Sequence, residues 1–170
     1  MQLLAQRTML SSKVRSNLGY HEHAGTISLA RHSAVDLPAI DWPKILKEQR
    51  TPLYSLTPLN TLTFYSIHCY AIDGRLKQHT DCVAEMEMTS GIIIHGQNDL
   101  HLNSGGSVLP ASAGDQFLLD PLIDHGAETE GLLIFAAHDE DVEHLPTAPE
   151  ARKMFLTALQ EIANDYPRKS

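Results

Sequence analysis

"TLTFYSIHCYAIDGRLKQHTD", residues 61–81, decides how this chain reads. Its first half, "TLTFYSIHCYAI", is β-branched and aromatic, the texture of a strand. After it come "GIIIHG", "NDLHLN", "GSVLPAS", "DQFLLDP" and "GLLIFAAH", each short and each bounded by Gly, Asn, Pro or Asp. Short strands at close spacing with turn signals between them predict a sandwich or barrel over residues 61–139, not βαβ units. The second half ends on His79 and Asp81. In an extended segment, residues two apart point the same way, so an imidazole and a carboxylate share a face.

Two ligands on one strand face hold a metal when a third converges from elsewhere. His125, in "GDQFLLDPLIDHGAE", is the candidate. At about eight residues per strand and turn, the interval 82–124 holds about five strands. That is enough to travel round a small barrel and return beside His79. Two His and one carboxylate on one side of an ion form the facial triad of non-haem Fe(II) enzymes, with positions left open for substrate and dioxygen.

"YAIDGRLKQHTD", a strand-rich interval, and then "GDQFLLDPLIDHG" resemble the double-stranded β-helix oxygenases that use Fe(II) and 2-oxoglutarate. The resemblance covers about residues 62–139. It implies a jelly-roll or cupin-like barrel, with His79, Asp81 and His125 as iron ligands and catalytic centre. It also implies that Tyr70 lies near the cosubstrate carboxylate. One departure stands out. The family anchors the far carboxylate of 2-oxoglutarate with Arg or Lys about ten residues beyond the distal His, and here Phe135 takes that place. Only Arg75 and Lys77 are close in sequence to the ligands. If the strand runs regularly from Arg75 to Asp81, their odd numbers put them on the ligands' face. "GGSVLPASAGDQFLLDPLIDH" also resembles the second half of a metal cupin, which needs no keto-acid anchor. Cupins follow their first His-x-His with a Glu; here Asp81 holds the second position, and Glu85 and Glu87 follow.

Three readings therefore stand. The first is an Fe(II)-dependent dioxygenase acting on a small organic substrate or amino-acid side chain, with or without 2-oxoglutarate. The second is a metal-dependent cupin-type enzyme that does not use it. The third is a ligand-binding barrel without catalysis. Zn, Co or Ni would also enter such a site.

The flanks carry helical signals. Residues 1–60 read as an arm and a helix: 1–40 are mixed and Ser/His-rich, and "DWPKILKEQR" has Asp41 as cap, Pro43 in the first turn, and Ile45 and Leu46 on an apolar side. "TPLYSLTPLN", punctuated by Pro52 and Pro58, reads as a connector. In "APEARKMFLTALQEIANDY", Met154, Phe155, Leu159 and Ile162 recur at helical spacing and predict a C-terminal helix over 147–166. The expectation is one domain, 1–170, mainly β, with an N-terminal helical arm and a C-terminal helix.

Composition narrows the partners. Net charge is −8 and no run of Lys and Arg forms a stripe, which argues against nucleic acid or an anionic membrane. No apolar run has the length of a membrane span. Two cysteines, Cys69 and Cys82, build no disulfide framework, which fits a cytoplasmic protein. Arg7, Lys13 and Arg15 precede the first acid, Glu22, and faintly resemble a transit peptide; an ordinary arm is the simpler reading. Small barrels pair through strand edges, so a homodimer is an expectation.

The other histidines have plainer readings. His68 shares parity with Tyr70 and either lines the pocket or is a hydrogen-bonded barrel residue. His101, between Leu100 and Leu102, is expected to face water, and His95, before Gly96, to sit in a turn. "HDEDVEH", 138–144, reads as a solvated loop. His21 and His23, in "HEH", fall in an arm without strand or helix signals, so they are not assigned a metal.

Overall fold

The computed structural model describes residues 10–25, 27–48, 54–56, 64–71, 74–79, 87–102, 108–119, 125–139 and 145–168. Near the N-terminus, α1 (Ser12–Asn17) leads into β1 (Glu22–Ala24) and β2 (Ile27–Ala30), followed by α2 (Trp42–Glu48) and β3 (Tyr54–Leu56). The central strands are β4 (Phe64–Ala71), β5 (Gly74–His79), β6 (Glu87–Ile93), β7 (Gln97–Leu102), β8 (Val108–Ser112), β9 (Gln116–Leu119), β10 (His125–Thr129) and β11 (Leu132–Asp139). Helix α3 (Ala148–Asp165) closes the order.

A seven-stranded sheet runs β1-β2-β9-β6-β11-β4-β3, and a four-stranded sheet runs β5-β10-β7-β8. From β4 to β11, β7 and β8 are sequence neighbours that pair directly; the other sequence neighbours lie in different sheets. A chain that crosses between two facing antiparallel sheets in this way is a double-stranded β-helix, the jelly-roll plan shared by cupins.

The crossings sort to two ends. Strands β4 and β5, β6 and β7, β8 and β9, and β10 and β11 are joined at one end through residues 72–73, 94–96, 113–115 and 130–131. At the other end, β5 and β6, β7 and β8, and β9 and β10 follow one another across longer intervals of sequence, 80–86, 103–107 and 120–124. Gly96 and Gly114, at φ 68° and 100°, serve the first end. A Cβ on Gly114 would lie 2.6 Å from the carbonyl oxygens of both His32 and Ser33, so that turn requires Gly.

Burial fixes which rows face inward. Ile27, Leu29, Ile93, Leu100, Leu109, Ala111, Phe117, Leu119 and Ala127 form one core cluster drawn from both sheets. The intervening residues of the large sheet face outward under the helices. Ile92 packs with Phe155, Leu159 and Ile162 of α3 and Ile45 of α2, and Leu118 and Met88 pack with Leu18 and Tyr20. Fully burying a Phe or Leu contributes roughly 1.5–3 kcal/mol, so α3 is part of the core. Among the described residues, no helix is long and apolar enough to cross a membrane.

The helices expected within 41–50 and 147–166 are found as Trp42–Glu48 and Ala148–Asp165. Lys44 N–H donates to Asp41 Oδ1 at 3.2 Å, and Glu150 N–H donates to Thr147 Oγ1 at 3.3 Å, capping α2 and α3. Three readings are corrected. The arm contains α1, β1 and β2, and "HEH" lies at and in β1. "TPLYSLTPLN" contains β3, paired with β4 through Tyr54↔Cys69 and Leu56↔Ile67. His138 and Asp139, read within a solvated loop, belong to β11. For the strands among these, pairing with a neighbouring strand outweighed weak local signals.

Candidate metal-binding end of the barrel

The geometry of the candidate site begins with β10. Its pairing with β7 is regular, from His125↔Leu102 through Ala127↔Leu100 to Thr129↔Asn98. Ala127 and Thr129 are 3% and 4% exposed, whereas Glu128 between them is exposed. With a period of two, His125 stands on the inward row with Ala127 and Thr129.

The pairing of β10 with β5 is irregular. Thr129, Glu128 and Ala127 pair with Gly74, Arg75 and Leu76, but His125 pairs with His79. Uninterrupted register would set Gln78 opposite His125 and turn His79 to the other face. Two residues, Lys77 and Gln78, instead oppose Gly126, which is a bulge in β5. The extra residue moves His79 onto the inward row, beside His125. Directly opposed residues in an antiparallel pair have Cβ atoms about 4.5–5.5 Å apart, close enough for two imidazoles to share one ion.

The same bulge breaks the regular run on which Arg75 was argued to share the ligands' face. Arg75 is paired with exposed Glu128, on the outward row, and Lys77 lies within the bulge itself. Tyr70 pairs with Leu133, next to the last pair Ala71↔Leu132, at the short-connection end. His79 is five residues along β5 from that end, roughly 16 Å at strand rise. The fold therefore brings His79 and His125 together and leaves Arg75 and Tyr70 apart from them. Asp81 lies outside the described residues. Among the described residues, no group of three or more His, Cys, Asp or Glu is placed to hold a metal ion.

The inward row of the large sheet supplies what the reading of the sequence passed over. Asp139 pairs with Glu87, continuing the row of Ala137↔Thr89 and Phe135↔Gly91. Thr89 and Gly91 in turn pair with the inward Leu119 and Phe117. Asp139↔Glu87 is thus the last pair of this row at the long-connection end, as His79↔His125 is on the facing sheet. Glu87 was noted in the sequence as following the His-x-Asp pair; Asp139, at the head of an acidic run, carried no signal that it would lie across from it. His68 pairs with Phe135 on this inward row, deeper in the barrel, and His101 pairs with Gly126 and the exposed Val108 on an outward row. A cavity of about 400 Å³ beside α2, lined by Ile40, Asp41, Trp42, Pro43, His95 and Arg168, lies at the short-connection end. There the His95 ring stacks on Trp42, with centroids 5.3 Å apart, so this cavity is separate from the histidine pair.

The "GD" of the family-like pattern has a structural role. Asp115 is 2% exposed and accepts from Arg31 Nη1 at 2.8 Å, His32 N–H at 3.1 Å and Ser112 N–H at 2.9 Å. It ties the turn before β9 to the segment after β2, opposite Gly114's close approach to the same segment. The Arg31 guanidinium, held by Glu22 and Asp115, is shifted further up from its ordinary range.

No family model matches the chain, and no curated protein does. Solved structures similar to it include an RmlC-like cupin protein from Desulfovibrio desulfuricans, at 16% identity and TM-score 0.39, covering 54% of this chain and 84% of that one. KdgF from Halomonas sp. is similar at 15% identity and TM-score 0.39, over 74% of this chain and 92% of that one. Salicylate 1,2-dioxygenase from Pseudaminobacter salicylatoxidans is similar at 13% identity and TM-score 0.37, over 58% of this chain and 30% of the enzyme. The order of the strands by itself defines the double-stranded β-helix.

Proposed function

We propose that the chain is a divalent-metal oxidoreductase of cupin type, acting on a small organic substrate at the long-connection end of its barrel. His79, His125 and Asp81 are the proposed ligands. The observation that carries this reading is the bulge in β5: an irregularity that sets two histidines side by side on an inward row is the kind found next to active sites. The donor set suits Fe(II), and a bound Fe(II) supplies redox chemistry and open coordination positions that side chains lack. The chain's own part is to hold two neutral imidazoles and a carboxylate at the barrel mouth. The apolar floor of Leu100, Leu109, Phe117, Leu119 and Ala127 would exclude water from a small ligand. Both imidazoles must be unprotonated to bind, so affinity weakens as pH falls through about 6.

2-Oxoglutarate is not part of this proposal. Among the described strands, no Lys or Arg stands on an inward row outside the bulge, and a dicarboxylate buried without a cation is costly. Titrating the anaerobic Fe(II) protein with 2-oxoglutarate is expected to give no metal-to-keto-acid charge-transfer band. A saturable band would restore the keto-acid reading, and an Arg75→Ala or Lys77→Ala variant without it would identify the anchor. Metal binding with no turnover of any small phenol, carboxylate or thiol under oxygen would favour the non-catalytic barrel.

A second reading rests on the Asp139↔Glu87 pair, which stands at the same end as the histidines. In it Glu87 replaces Asp81 as the carboxylate ligand. Losing the partner of a ligand already costs about 10–100-fold in affinity, so losing a ligand costs about 100-fold or more. Asp81→Asn is expected to show that loss in competition titrations with a chromophoric chelator, and Glu87→Gln to stay within about threefold of wild type. The reverse pattern would make Glu87 the ligand.

A further inference from the structure

We infer that His23 is a pH-operated latch holding α1 and β1 against β2. The geometry is a hydrogen-bond relay with one direction. Arg15 of α1 is buried and can only donate; its Nη1 donates to Ser28 Oγ at 2.6 Å and to the Gly25 carbonyl at 3.0 Å. Ser28 is fully buried, and its hydroxyl proton has His23 Nδ1, 2.9 Å away, as its acceptor. His23 is therefore neutral with its proton on Nε2, which donates to Ser16 Oγ of α1 at 2.9 Å. One imidazole thus joins the helix to the strand behind it.

Protonation breaks the relay. A proton on Nδ1 would face Ser28 Oγ, which already accepts from Arg15, and would strand the serine hydroxyl proton in a buried site. It would also set an imidazolium beside a guanidinium whose own Nε has no partner among the described residues. The surrounding charges do not relieve this. α1 contributes Lys13 and Arg15; β2 and β8, which also pack on β1, contribute no titratable group; His21 and Glu22 lie on the His23 segment, and Glu22 is paired with Arg31. Burial first, then Arg15 and His21, hold His23 below its ordinary value of 6.5. The docked form thus binds fewer protons than the open form. Docking is strongest above pH about 6.5 and weakens as pH falls from there toward the lowered value.

The test is amide hydrogen exchange of the full chain between pH 7.5 and 5.0, corrected for intrinsic rates, with NMR of the His23 ring. The ring is expected to carry its proton on Nε2 at pH 7.5 and to titrate below 6.5. Protection of the Arg15 and Leu18 amides is expected to fall about tenfold or more at pH 5.0, and His23→Asn is expected to remove that pH dependence. A proton on Nδ1 at pH 7.5, equal protection at both pH values, or the same pH dependence in His23→Asn would overturn the latch. If His23→Asn does not fold, the ring tautomer and the wild-type exchange decide.

Discussion

Converting His79 or His125 to Ala is expected to lower divalent-metal affinity by at least about 100-fold. Each imidazole is contributed once, from the end of a strand, and no third histidine stands in the same rows at that end among the described residues. The metal-free variants should unfold within a few degrees of wild type, because both positions stand at strand ends, where trimming a side chain to alanine costs little. The contrast appears when metal is added. At 100 times the dissociation constant, a ligand that binds only the folded state stabilises it by about 2.7 kcal/mol. For a chain of this size that is about 5–10 °C in Tm, expected in wild type and absent in both variants. Equal metal-induced shifts in all three proteins would remove the histidine pair from the site.

Asp115→Ala is expected to cost about 3 kcal/mol of stability, or roughly 6–12 °C in Tm. The carboxylate satisfies His32 N–H, Ser112 N–H and Arg31 together from a buried position, and alanine leaves both amides without it. Asp115→Asn keeps one acceptor oxygen and should lose about half as much. Denaturant melts of the metal-free proteins measure both. A loss below about 0.5 kcal/mol for Asp115→Ala would mean that water replaces the carboxylate, and that the turn before β9 does not depend on it.

Much of the fold was legible because its signals were local. Residues 61–71 are β-branched and aromatic, Asp41 and Thr147 stand where helix caps belong, and Phe155, Leu159 and Ile162 recur at helical period. Gly114 and Asp115 were read as part of a family-like pattern, and they build the turn that pattern marks. The N-terminal strands were illegible: "ISLA" is four residues long and becomes a strand by pairing with β9 through Ser28↔Leu118 and Ala30↔Gln116. β3, between two prolines, gave no strand signal of its own.

At the candidate site the meeting of His79 and His125 was legible and the register that produces it was not. His79 and His125 were chosen for chemistry and spacing, and parity then assigned Arg75 to the same face. Parity holds only in a regular strand. The segment from Lys77 to His79 is polar throughout, so no hydrophobic alternation marks where the extra residue lies. It contains no Gly or Pro to announce a bulge. The pairing of Asp139 with Glu87 was equally hidden, because it joins residues far apart in sequence across a ladder.

The most direct test of the proposed metal centre is paramagnetic NMR of the Co(II)-loaded protein at neutral pH. A histidine bound through one ring nitrogen keeps a proton on the other. Two strongly shifted, exchangeable imidazole N–H signals are predicted, one missing in His79→Ala and the other in His125→Ala. One equivalent of Co(II) bound with both of these rings unshifted, or both signals persisting in the double variant, would contradict the account.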